Sequence, residues 1–135
     1  MEYPRMNELK ETVDKINKLI RTQLWFDFET LTLENDLKVA GGLDLFYPTP
    51  DDYDLLITFS NVFYISSLTR WRTDTSKNCI RVLEDEEFFA MNTKHQIEQG
   101  NYVFSIFAED HEEGLYYIIA ENISYEIVNT DTFKN

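Results

Sequence analysis

The spacing of apolar residues changes period once along this chain, near residue 24. Before that point Met6, Leu9, Val13, Ile16 and Ile20 recur at steps of three and four, which lines one face of an α-helix. Asn7 is the expected N-cap, and Lys18 and Arg21 stand where the helix dipole favours cations. The stripe predicts a helix over residues 1–23 that lies as a lid on a sheet, because an isolated helix of this length is marginal in water.

Beyond residue 24 the period is two. Leu24, Phe26 and Phe28 alternate, and a parity shift to Leu31 and Leu33 marks a bulge near Glu29-Thr30. Glu34-Asn35-Asp36 reads as a turn before Leu37 and Val39. Gly41-Gly42 then breaks or bulges the strand ahead of Leu43, Leu45 and Tyr47. Pro48 and Pro50 make Tyr47 to Asp52 a loop. Tyr53, Leu55, Ile57 and Phe59 alternate, and Val62 and Tyr64 resume with shifted parity after Ser60-Asn61. A polar turn from Thr73 to Asn78 leads to a short strand, Cys79 to Leu83. Glu84, Asp85, Glu86 and Glu87 before Phe88, Phe89 and Met91 predict a short helix at 84–98, with acids favourably placed in its first turn. After Gly100 comes a hairpin of Tyr102 to Ala108 and Leu115 to Val128, joined by the acidic Glu109 to Gly114 loop and kinked near Glu121-Asn122. Ile, Val and Thr total 29 and the aromatics 20, against four Ala, a balance that favours pleated surfaces. The expected fold is α+β: an N-terminal helix packed on a strongly bent antiparallel sheet or partial β-barrel. Residues 1–135 form a single domain in this reading, with 24–128 mainly antiparallel strands.

Charge narrows the function. The 12 Lys and Arg against 25 Asp and Glu give a net −13. Residues 1–24 balance at +1, so the remainder carries −14. Such a surface disfavours nucleic-acid backbones and anionic membranes, and suits a cationic protein partner. No run of apolar residues approaches a membrane span, and the opening Met-Glu-Tyr-Pro-Arg leads into no signal-like apolar run, so the expected compartment is cytoplasmic. Cys79, as the single cysteine, can form no internal disulfide.

Several residues carry candidate chemistry. Phe26-Asp27-Phe28-Glu29-Thr30 resembles the first motif of exonucleases that hold two metal ions with four carboxylates. The later Asp motifs of that family do not follow in order, and the expectation is that Asp27 and Glu29 form the solvent face of a strand. A metal-dependent nuclease is kept as a remote alternative on these two residues alone. Asp51, Asp52 and Asp54 with Asp110, Glu112 and Glu113 could hold a hard cation but lack the glycine turn and trailing Glu of a calcium loop. Cys79 and His95 could form a nucleophilic pair, although Cys79 reads better as a small buried hydrophobe. His111, between acids, reads as solvated. Arg70, Arg72, Lys77 and Arg81 around Trp71 read as counter-charge to the acidic segments, with an interface hot spot as the second reading.

Residues 54–71 contain a Leu-x-Ile-x-Phe-x-Asn-Val-x-Tyr core with a downstream Trp. This stretch resembles small acidic bacterial proteins of the toxin-immunity kind. The resemblance implies a protein that binds and neutralises a cognate toxin, and it transfers no catalytic residue.

The reading is thus a non-enzymatic, acidic protein-binding module, an immunity-type inhibitor of a cationic toxin. No catalytic, cofactor-binding or metal-binding residue is assigned. The expected partner surface comprises Glu84, Asp85, Glu86, Glu87, Glu109, Asp110, Glu112 and Glu113 for electrostatic steering, with Trp71, Phe88 and Tyr116 as aromatic anchors. The alternative is a binder of small apolar ligands in the mouth of the curved sheet. An enclosed apolar cavity would favour that alternative, and a filled interior the binding surface.

Overall fold

The computed structural model describes residues 5–43, 53–111 and 114–134. Helix α1 (Met6–Arg21) leads into strands β1 (Phe26–Leu33), β2 (Leu37–Gly42), β3 (Leu55–Ser66), β4 (Arg70–Thr73) and β5 (Ile80–Val82). Helix α2 (Asp85–His95) follows, then β6 (Tyr102–Ile106) and β7 (Tyr116–Ile127), with short 3-10 turns at Glu109–His111 and Thr130–Phe133. The seven strands form one antiparallel sheet in the order β4-β1-β2-β3-β7-β6-β5. The sheet curls until its two ends meet near residues 107–110. There the Thr73 hydroxyl donates to the Phe107 carbonyl at 3.5 Å, and the Arg72 N–H donates to Asp110 Oδ1 at 3.3 Å. The architecture is α+β with a strongly bent sheet, as the alternation predicts.

The concave side of the sheet needs a cover, and the stripe on α1 supplies it. Leu9, Val13, Ile16 and Ile20 are buried and share one core with Phe26, Phe28, Ile57, Phe59, Phe104 and Ile118. The helix is therefore a packed lid. It begins at Met6, with Arg5 at the N-cap and no side-chain cap bond, so Asn7 does not play the expected role. A polar residue beside the stripe does structural work that periodicity does not reveal. Asn17 is buried, its Nδ2 donating to the Ile80 carbonyl at 2.9 Å and its Oδ1 accepting the N–H groups of Cys79 (3.0 Å) and Ile80 (3.2 Å). The Cys79 carbonyl and the Leu83 N–H bond toward β6, so the polar groups of Ile80 point off the free edge of β5. Asn17 stands in for a further strand and closes that edge.

The convex side is covered locally. Val103, Tyr117 and Ile119 alternate with core residues of β6 and β7, and α2 buries them under Phe88 and Met91. These strands are apolar on both faces, which is why residues 102–106 and 116–120 read as nearly continuous hydrophobic runs.

Several local expectations change. Leu24 precedes β1 and is 90% exposed, and Leu31 and Leu33 are exposed beyond the register shift between Thr30 and Thr32. Strand β2 pairs through Gly41 without breaking; a Cβ there would stand 2.5 Å from the Phe26 ring, so glycine makes room for Phe26 and Phe28. Strand β3 runs unbroken past Asn61, whose φ of 50° is stabilised by its N–H donating to Asp36 and its side-chain amide to Glu121. The inward parity shifts from Phe59 to Val62, but Tyr64 turns to the convex side. In β7 the inward set passes from Ala120 to Ile123 across Glu121-Asn122, a change of parity inside a continuous strand. Strand β4 lies in a segment read only as a basic patch. The short helix covers 85–95 rather than 84–98. Leu45, Tyr47 and the proline loop lie outside the described residues.

Candidate functional site

The pairing of β1 with β4 fixes what lies on the convex face at this end of the sheet. Register sets Asp27 opposite Arg72 and Glu29 opposite Arg70, while Phe26, Phe28 and Trp71 alternate into the core. Glu29 and Arg70 form an ion pair at 3.1 Å. Asp27 is different. It is only 7% exposed, so it is not the solvent-facing strand residue the sequence predicts. Its carboxylate makes no hydrogen bond or ion pair among the described residues. Burial pushes its pKa above the ordinary value; the charge of Arg72 opposes that, and Asp110 and Glu109 reinforce it.

Asp54 shows what a satisfied buried aspartate looks like in the same fold. It is equally buried, at 7% exposed, yet its Oδ1 accepts from Thr132 Oγ1 (2.7 Å) and Asn129 Nδ2 (3.2 Å), and its Oδ2 from the Leu43 N–H (3.2 Å). Asp54 ties the end of β2 and the start of β3 to the C-terminal turn, and its oxygens are occupied by this structural task. Asp51, Asp52, Glu112 and Glu113, its expected companions at a cation site, lie outside the described residues.

Asp27 opens onto a groove of about 350 Å³, lined also by Trp25, Phe26, Leu43, Arg72, Thr73 and Glu109. Trp25 is 55% exposed but held: its Nε1 donates to the Leu43 carbonyl at 2.9 Å. Because the N–H of Leu43 is bound by Asp54, the backbone of Leu43 is held on both sides of its Cα and the indole is a positioned wall. An exposed, oriented Trp beside a carboxylate that opens onto a groove is a natural place to receive a polar partner.

The expected anchors fall elsewhere. Trp71 is buried and stacks on Phe28 with ring centroids 5.5 Å apart, so it belongs to the core and not to a partner surface. Phe88 is likewise buried, on the face of α2 that packs against the sheet. Tyr116 is half-buried and meets the His111 ring edge-on at 6.4 Å. Glu84 is engaged by Lys10 at 2.8 Å, joining α1 to the start of α2, and Glu87 by Arg81 at 3.1 Å. Asp85 and Glu86 are exposed in the first turn of α2. Glu109 and Asp110 are exposed in the 3-10 turn beside β4, where Glu109 reaches the groove. The two described acidic segments thus sit on different elements, and only the second meets the groove. The missed residue is Trp25; its signal is the flanking pair Leu24-Trp25 at the helix-to-strand junction, ahead of the first paired residue.

The other candidate chemistry separates. Cys79 is buried in the concave core, where desolvation raises its thiol to about 12 and removes it as a nucleophile. His95 is on the opposite face, its Nε2 2.8 Å from the Tyr117 hydroxyl and its ring 4.2 Å from that of Tyr64. The two residues do not form a pair. Asp27 and Glu29 each face an arginine, and no group of three or more His, Cys, Asp or Glu stands at metal-binding spacing among the described residues. The interior between Phe28, Phe59, Trp71 and Ile106 leaves about 10 Å³, room for one water and not for a small-molecule ligand. The Trp71 indole N–H, without an acceptor among the described residues, lies in this part of the core. No described helix is long and apolar enough to cross a membrane.

No protein-family model matches the chain, and neither the curated proteins nor the solved structures show significant similarity to it.

Proposed function

We propose that this protein is an acidic binding domain for a cationic protein, acting by association and not by catalysis. The observation that carries the proposal is the distribution of charge. Four cations near the acidic segments face carboxylates of the same chain: Arg70 faces Glu29, Arg81 faces Glu87, Lys10 faces Glu84, and Arg72 is paired in register with Asp27. What remains for a partner is net acid, including Asp85, Glu86 and Glu109. A filled core supports an outer surface over an internal ligand site. In its specific form the partner is a cationic toxin and the domain its immunity-type inhibitor, in line with the resemblance of residues 54–71.

The test is affinity capture from the native host, with a basic candidate then purified and rebound. Its association rate should fall steeply as NaCl rises, because steering between opposite charges is screened over roughly 10 Å at 0.1 M salt. A partner that is not basic, or a rate flat across that range, overturns the proposal.

A further inference from the structure

We infer that the groove beside Asp27 is a receptor for one basic side chain, an arginine or lysine presented by a partner protein. The inference rests on the acidic-domain reading and names the place where that charge is used. Three observations on the same few residues converge. Asp27 is more than nine-tenths buried, lines the groove, and makes no hydrogen bond or ion pair among the described residues. The other buried carboxylate among the described residues, Asp54, is met by protein donors, whereas Asp27 leaves its oxygens to the groove and to whatever enters it. The groove is also acidic on balance. Asp27 and Glu109 line it and Asp110 stands close by, against the single charge of Arg72. Finally, the wall is an indole held by its bond to Leu43, with a face available for a cation or for the apolar stem of a long basic side chain.

The adjoining sequence carries no cation of its own. Residues 44–52, which follow Leu43, include Asp44, Asp51 and Asp52 and no Lys or Arg. A guanidinium fits this site best, because it can offer several donors to Asp27 and Glu109 while lying flat against Trp25. Arg72 stays in its place on β4, with its backbone N–H bound to Asp110.

The experiment is a titration of the isotopically labelled protein with acetyl-Gly-Arg-Gly-amide, followed by amide and indole NMR signals. The same peptide with citrulline, which keeps the shape and removes the charge, is the control. Saturable shifts of the Trp25 indole and of the Leu43 and Thr73 amides are expected with arginine and not with citrulline. Asp27→Asn should weaken the arginine response roughly tenfold or more while leaving the rest of the spectrum in place. Trp25→Leu should weaken it also, which guards against a single variant that fails to fold. Equal shifts with citrulline overturn the inference, as do shifts confined to Asp85-Glu86, or an Asp27→Asn variant that binds as well as the parent. A cationic protein that binds both forms equally, with full salt dependence, removes the groove and leaves the acidic-domain reading standing. An arginine peptide seated in the groove, with no basic protein partner found, supports the groove and removes the broader reading.

Discussion

Asp27 imposes a cost on the fold that its neighbour Glu29 does not. Glu29 has Arg70 within ion-pair distance, whereas Asp27 is desolvated and lacks a donor among the described residues. For an acid whose folded pKa lies above its unfolded value, the native state holds the proton more tightly. Stability therefore falls as pH rises through the window from the unfolded value of about 3.8 to the higher folded one. At neutral pH Asp27 is on the unfavourable side of that window, despite the opposing charge of Arg72, and Glu109 and Asp110 add to the penalty. Asp27→Asn should raise the midpoint of thermal unfolding at pH 7 by up to a few degrees, on the order of 1 kcal/mol. The advantage should shrink as the pH falls through that window and vanish below about 3.8, where the unfolded carboxyl is protonated as well. Thermal unfolding of both proteins from pH 3 to pH 8 checks this, and a parent protein more stable than the variant at pH 7 contradicts it. A buried carboxylate kept at a cost to stability is the kind of local inconsistency that functional sites tolerate. Neither this nor the exchange of roles between Trp25 and Trp71 is legible in the sequence. The alternation Phe26-Asp27-Phe28 gives the correct face for Asp27, but not the groove walls that surround it. Arg70-Trp71-Arg72-Thr73 reads as a basic patch until its pairing with β1 turns the indole inward.

At the scale of elements, α1 is the most legible part of the chain. Its apolar stripe states both the helix and the need for a sheet beneath it, and Leu9, Val13, Ile16 and Ile20 all meet that sheet. Ile16 is fully buried at the centre of the contact. Ile16→Ala should cost about 2–5 kcal/mol, from lost burial and the cavity left behind. Denaturant unfolding measures it, and a loss below about 0.5 kcal/mol, typical of surface positions, would mean the helix is not a lid. The bent sheet is legible as well, because parity shifts in β3 and β7 appear as breaks in alternation near residues 60–62 and 120–123. Strand continuity through those shifts is not legible, since it depends on cross-strand bonds such as Asn61 to Glu121. The closure of β5 by Asn17 is hidden for a similar reason. One polar residue beside an apolar stripe looks like solvent-facing sequence until the edge it meets is known.

The whole molecule carries −13, and this excess acts on folding and on association with opposite signs. Within the native state, like charges are held closer than in the unfolded chain, so self-repulsion opposes compaction. The ion pairs Arg70–Glu29, Arg81–Glu87 and Lys10–Glu84 work against that, but they are surface pairs of modest worth. Repulsion among the many remaining acids should dominate. Raising NaCl from about 10 mM to about 150 mM shortens the screening length from roughly 30 Å to roughly 8 Å. The unfolding midpoint should therefore rise with salt over that interval and level off above it, while association with a cationic partner slows over the same interval. Calorimetry at fixed pH gives the first quantity, and stopped-flow mixing with the partner gives the second. Opposed trends identify the net negative field as the common cause. A midpoint that falls with salt would instead show the internal ion pairs outweighing the repulsion, and the surface acids would then act as a balanced network rather than as an uncompensated field awaiting a basic partner.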